Sequence, residues 1–321
     1  MIYRYPDSRT KNGPDSNQDA QLLKSDEEFS RSYYPADPFS AGLYHTSQTR
    51  VMGRMPMGNH MLISYQTPSN AAPHIPVGIT NIDIDRETNI RLRAFATQVS
   101  NGKFEAWLYS WWDTKLWSAG MAYLERSPRI DDTCMQTGVY HTVETAGNYE
   151  PQPNRMARIN FTTPFESPPK VVTWIQHIDL DRKSNWRMEV YPTDIDRNGF
   201  TIHVDHGEET TLYGGGVTWL AYPSTQRNII SGRFSTKDIK PWNGPVAENS
   251  DTFKFPYEFP QTPKIVVALD SFNYDCRANL RLDLGSSSVT NKSFTWHLNS
   301  WADSIMYSAG ASFIAWVPES R

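Results

Sequence analysis

Three stretches decide the reading: NIDIDRETNIRLRAF (81–95), HIDLDRKSNWRMEVY (177–191) and SFNYDCRANLRLDLG (271–285). Each carries an Asp, an Asn four residues on and an Arg two further: Asp85/Asn89/Arg91, Asp181/Asn185/Arg187 and Asp275/Asn279/Arg281. The arginines stand 96 and 94 residues apart. The register continues through Phe104, Phe200 and Phe294, then Gly120, Gly216 and Gly310, which open the runs GMAYLE, GVTWLAYP and GASFIAWVP. Upstream, FTTPFESPPKVV (161–172) matches FPYEFPQTPKIVV (255–267) and, more loosely, YQTPSNAAPHIPVGI (65–79). Self-similarity at a fixed period is the mark of tandem structural units.

Within a unit the pattern is β. Apolar and polar residues alternate in Ile82-Asp83-Ile84-Asp85, in Arg91-Leu92-Arg93-Ala94-Phe95 and in Thr201-Ile202-His203-Val204. Asn101-Gly102 and Asn198-Gly199 read as hairpin turns, with Asn291-Lys292-Ser293 in their place in the third unit. No window holds a 3.6-residue apolar period. About six short strands per unit fit an antiparallel sandwich. The fold expected is all-β: a polar arm over 1–45, then six-stranded antiparallel β-sandwich repeats over 46–126, 135–224 and 229–319. A second reading of the arm docks it on the body through Tyr33, Tyr34, Phe39 and Tyr44. The phenylalanines and closing-strand aromatics are read as core.

Composition excludes several classes. A net charge of −4 over 321 residues gives no basic field for nucleic acid or an anionic membrane. The N-terminal stretch has no apolar h-region and no run approaches 18 apolar residues, so membrane insertion is not expected and a cytoplasmic protein is, with non-classical export as the alternative. Cys134 and Cys276 are too few for a disulfide scaffold or a thiolate zinc site. No cofactor is implied. Asp83/Asp85 and Asp179/Asp181 look like paired carboxylates, but in the third unit Asp275 stands without a partner, so they read as a solvated strand face rather than a calcium or glycosidase pair. His203 and His206 lack a third metal ligand, and Gly214-Gly215-Gly216 lacks the Lys and Ser/Thr of a phosphate loop. No catalytic residue is assigned. Eleven Trp in a chain with 13% aromatic residues exceed what cores need, and surplus rings suit flat, partly apolar ligands.

Repeats of this length, with F-x-x-P-F-x-x-P-P-x-V, then N-x-R, an aromatic loop and a closing G-x-x-W-L/I-A strand, resemble the H-type lectin domain. The resemblance covers all three units. It implies six-stranded sandwiches that associate in threes and bind galactose or N-acetylgalactosamine in shallow pockets near the interfaces. It implies glycans or glycoconjugates as partners, no enzymatic activity, and either a pseudo-trimer within the chain or a homo-oligomer. The family site uses an Arg, a Trp twenty residues later, a polar residue directly after it and a Tyr six beyond the Trp. On this chain the Arg falls on Arg91, Arg187 and Arg281. The Trp falls on Trp111 and Trp301, but Gly207 stands there in the second repeat. The next position holds Trp112, Glu208 and Ala302, and the Tyr position holds Trp117, Tyr213 and Tyr307. Glu150 is the counterpart of an acidic family residue that holds sugar hydroxyls.

The chemistry is coherent without the resemblance. An aromatic face covers the C–H patch of a galactose-type ring, and an Arg fork presents fixed donors to its hydroxyls. The competing reading makes the arginines interface residues held by Asp85, Asp181 and Asp275, and the rings plain packing between repeats. A rival enzyme needs two carboxylates about 5–10 Å apart around a sugar, and no such pair recurs in all repeats. A scaffold with decayed sugar sites is the other rival, favoured by Gly207 and Ala302.

Overall fold

The computed structural model describes residues 39–51, 53–65, 72–126, 134–144, 151 and 154–317. The first repeat contains β1 (Phe39–His45), β2 (Gly58–Ser64), β3 (Val77–Ile84), β4 (Ile90–Thr97), β5 (Lys103–Tyr109) and β6 (Leu116–Arg126). The second contains β7 (Gln136–His141), β8 (Arg155–Asn160), β9 (Lys170–Leu180), β10 (Trp186–Asp196), β11 (Gly199–Asp205) and β12 (Leu212–Tyr222). The third contains β13 (Ile229–Ser235), β14 (Ser250–Lys254), β15 (Lys264–Tyr274), β16 (Leu280–Ser287), β17 (Ser293–Asn299) and β18 (Met306–Trp316). The described residues hold no α-helix; three short 3₁₀ turns are the only helical elements among them.

Burial follows the alternation. Phe104, Ala106 and Leu108 of β5 point inward while Lys103 and Tyr109 are exposed. Central strands β9 and β15 are buried on both faces along most of their length, so they read as nearly continuous apolar runs. At the Asn198-Gly199 hairpin the backbone N–H groups of both residues donate to Asp196 Oδ1, at 2.6 and 3.0 Å. A side chain at Gly199 would place its Cβ 2.1 Å from the Ile159 carbonyl oxygen, which explains the glycine.

The strands form three six-stranded antiparallel sheets, and each sheet draws three strands from each of two repeats. Their orders are β1-β6-β3-β16-β17-β14, β13-β18-β15-β10-β11-β8 and β2-β5-β4-β9-β12-β7. The first repeat thus shares one sheet with the third, the third shares another with the second, and the second shares the last with the first. The ring closes. At each seam four residue pairs lie in register: Ile90–Arg93 of β4 with Leu180–His177 of β9, Trp186–Glu189 of β10 with Tyr274–Ser271 of β15, and Leu280–Asp283 of β16 with Ile84–Asn81 of β3.

Two bodies of apolar side chains hold this together. The larger fills the sandwiches and includes Phe104, Phe200 and Phe294, all fully buried, as expected of them. The smaller joins Ala122 and Leu124, Val172 and Trp174, and Val266, Ala268, Ile314 and Trp316, so all three repeats contribute. Trp174 Nε1 donates to the Ser312 carbonyl at 3.1 Å, which satisfies a buried indole across that shared core. β1 takes the last seven residues of the span read as an arm. Phe39 and Tyr44 are buried there and β1 pairs with β6, which is the docked alternative for those two rings. Tyr33 and Tyr34 lie outside the described residues.

Candidate functional site

The repeated Asp/Asn/Arg triplet lies at the seams, and each of its residues has one task in all three copies. The aspartate folds its own turn: Asp85, Asp181 and Asp275 accept through Oδ1 from the backbone N–H two residues on, at 2.9, 2.7 and 2.9 Å. This is the Asx pattern. The asparagine reaches the next repeat. Asn89, Asn185 and Asn279 accept from the backbone N–H of Arg182, Cys276 and Arg86, each at 3.1 Å. The arginine crosses the seam too, with Arg91 Nε 3.3 Å from Asp179, Arg187 Nε donating to Asn273 at 3.0 Å, and Arg281 Nε 3.5 Å from Asp83.

The arginines are therefore interface residues, but their partners are not Asp85, Asp181 and Asp275. They are the residues opposite them on the central strand of the following repeat. The expectation of a solvated face at Asp83 and Asp179 is likewise corrected. Asp179 is buried and Asp83 nearly so, because each lies under an arginine of the neighbouring repeat.

The aromatic position six beyond the Trp owes its placement to a β-bulge. Between β9 and β12, Asp179 pairs with Gly214 and Leu180 with Leu212, leaving Tyr213 as the extra residue. Tyr307 is the extra residue between β15 and β18, and Trp117 between β3 and β6. A bulge re-aims a side chain without breaking the sheet. Register also fixes which arginine each ring accompanies. Arg91 pairs with Asp179, which pairs with Gly214, so Tyr213 belongs beside Arg91. By the same steps Tyr307 belongs with Arg187 and Trp117 with Arg281. The ring and arginine of one repeat, grouped together by spacing, lie on different sheets; the structure groups them across repeats.

The three seams differ in detail. At the first, between repeats 1 and 2, Arg91 also pairs with Asp113, and its guanidinium lies 5.1 Å from the centre of the exposed Trp112 ring. Trp111 stacks on Tyr109 with centroids 6.1 Å apart and tilts toward His177 at 5.4 Å. Tyr213 donates its hydroxyl to Asp181 at 2.9 Å. At the third seam, between repeats 3 and 1, Arg281 also pairs with Asp303, and Trp301 keeps 37% of its surface exposed. The Trp117 indole N–H is buried there without a hydrogen-bond partner among the described residues. Trp112 and Ala302, directly after the loop tryptophans, share a left-handed backbone, both at φ 56°. At the second seam, between repeats 2 and 3, Arg187 lies across Gly207: a Cβ there would meet Arg187 Cδ at 2.4 Å. Glu208 is exposed beside it and Tyr307 donates to Asp275 at 2.8 Å. This seam opens into a pocket of ≈ 210 Å³. Glu150 lies outside the described residues.

Charge at the first seam is set by burial. Burial raises the Asp179 carboxyl to about 6, against the pull of Arg91, and lowers the His177 imidazole to about 3, helped by His141 and Arg93. A carboxyl raised in the folded state gains protons on folding as pH falls from about 6 toward 4, which adds stability in that window. A lowered imidazole does the reverse below its unfolded value of about 6.5. Asp179→Asn removes the first contribution and keeps the second, in a form the protein already uses at Asn273. Its melting temperature should therefore fall more steeply than that of the native chain between pH 6 and 4. Equal slopes in thermal melts across that range contradict the assignment.

A family model for the H-type lectin domain matches residues 62–124, 156–222 and 250–316, once in each repeat and over most of the strands just described. The chain belongs to the H-type lectin domain family and carries three tandem copies of the domain. It is similar to a protein from Fuscovulum blasticum named "ATP synthase subunits region ORF 7", at 30% identity over 73 residues. That match covers 23% of this chain and 63% of the relative, less than two thirds of its length.

Proposed function

We propose that the chain binds galactose- or N-acetylgalactosamine-type glycans, without catalysis, in shallow sites at the seams between repeats. The observation that carries this reading is the third seam, where Arg281 pairs with Asp303, two residues after the exposed Trp301, and with Asp83 of the first repeat, beside which Trp117 bulges. Arg281 supplies donors to hydroxyls and Trp301 an apolar face. The first seam offers Arg91, Trp111, Trp112 and Tyr213, and the second Arg187, Glu208 and Tyr307. One chain acts as a complete pseudo-trimer in this reading, supported by three sheets that all close within it. Several weak sites in one body raise avidity for clustered glycans.

A second reading, a scaffold whose sugar sites have decayed, is favoured by Arg91. Arg91 and Arg281 are each engaged by two carboxylates, and Arg91 alone is also covered by a ring, that of Trp112, which leaves its fork the less to offer a ligand. A glycan array separates the two. The lectin reading expects signals confined to terminal galactose or N-acetylgalactosamine, and Trp301→Ala should weaken them about tenfold, as loss of about 1–2 kcal/mol of ring contact implies. An array without signal leaves the scaffold.

A further inference from the structure

The second seam departs from the other two in charge. Arg91 and Arg281 are each held between two carboxylates, Asp113 and Asp179 or Asp303 and Asp83. Arg187 meets a neutral amide instead, through Nε to Asn273. Glu209, which stands where Asp113 and Asp303 stand, is exposed and forms no ion pair with it among the described residues. The terminal guanidinium nitrogens of Arg187 donate to no described residue, and Arg187 lines the pocket. Lys237 lines the same pocket, exposed, with no ion-pair partner among the described residues. The acids on the wall are engaged elsewhere: Glu189 pairs with Arg233 at 2.5 Å, and Asp205 accepts from the Tyr191 hydroxyl at 2.7 Å.

Gly207 supplies no ring, and across the seam the third repeat carries an exposed one. Trp242, in the third repeat, is 55% exposed and packs edge-on against Tyr307 with centroids 6.5 Å apart. Tyr307 precedes Ser308, which lines the pocket and pairs with Asn273. The Lys240 ammonium fixes the loop that carries Trp242 by donating to the carbonyls of Gly244 and Tyr307, at 2.9 and 3.0 Å.

We propose that this second-seam pocket takes an acidic sugar, one bearing a carboxylate or sulfate, with Arg187 and Lys237 holding the anion and Trp242 covering the ring. A planar guanidinium end is a bidentate partner for an anionic oxygen pair, and charge-assisted hydrogen bonds are about twice as strong as neutral ones. The proposal rests on the lectin reading for the class of ligand, not for its neutral galactose preference.

Titration calorimetry with galactose, galacturonic acid and galactose 6-sulfate tests it, since the three share a ring and differ at one carbon. The native chain should bind galacturonic acid at least tenfold more tightly than galactose, and added salt should weaken the acid arm alone. Asn273→Asp installs the carboxylate that both other seams carry and should abolish the preference while the melting temperature holds. Lys237→Gln, at an exposed side chain, gives the same direction should Asn273→Asp fail to fold. Galactose 6-sulfate binding as tightly identifies charge as the requirement, and galacturonic acid alone a planar carboxylate. Galactose bound with no gain for either acid, or a gain untouched by both variants, overturns the proposal and leaves the neutral reading standing. Acid sugars bound without galactose overturns the neutral preference and leaves this pocket standing.

Discussion

Replacing Arg91 by alanine is expected to lower the unfolding free energy by about 3–5 kcal/mol, the range for breaking a buried ion pair from one side. The side chains of Arg91 and Asp179 are only 7% and 8% exposed, and truncation leaves the Asp179 carboxylate facing β4 without its cation. Arg187→Ala, in contrast, removes one hydrogen bond to a neutral amide and should cost about 1 kcal/mol. Urea titration of both variants measures the difference. Equal losses contradict the view that seam one is held by a buried pair and seam two by an amide.

The second large effect concerns the ring of sheets. A chain ending at residue 228 loses β15 from the side of β10 and β16 from the side of β3, so two sheets are cut at their middle. It also strips Val266, Ala268, Ile314 and Trp316 from the shared core, exposing Trp174 and Leu124. Bare central strands and an open apolar face favour association with other copies. The fragment should lack a cooperative thermal transition as a monomer, or recruit further chains, as light scattering with circular dichroism would report. A monomeric fragment that melts as sharply as the full chain contradicts the shared-sheet architecture.

The repeat was legible because all three copies keep the same local devices. Asp85, Asp181 and Asp275 fold one turn, and spacing alone reveals them. What spacing hides is the partner. Arg91 and Asp179 are 88 residues apart and become neighbours through strand pairing between repeats, which no local pattern encodes. The same blindness grouped Tyr307 with Arg281, since a bulge and a sheet boundary lie between them. Asp83 and Asp179 looked solvated because alternation names a face but not what covers it. Trp242 was not singled out in the sequence, although a tryptophan inside the polar turn Pro241-Trp242-Asn243-Gly244 has no core to fill.

The site claim is tested most directly by a crystal structure of the intact chain grown with N-acetylgalactosamine. Sugar density is expected at the third seam, within hydrogen-bond reach of Arg281 and against the face of Trp301, touching residues of both the third and first repeats. Density confined to one repeat and away from Arg281 and Trp301, or no sugar at any seam at saturating ligand, would contradict it.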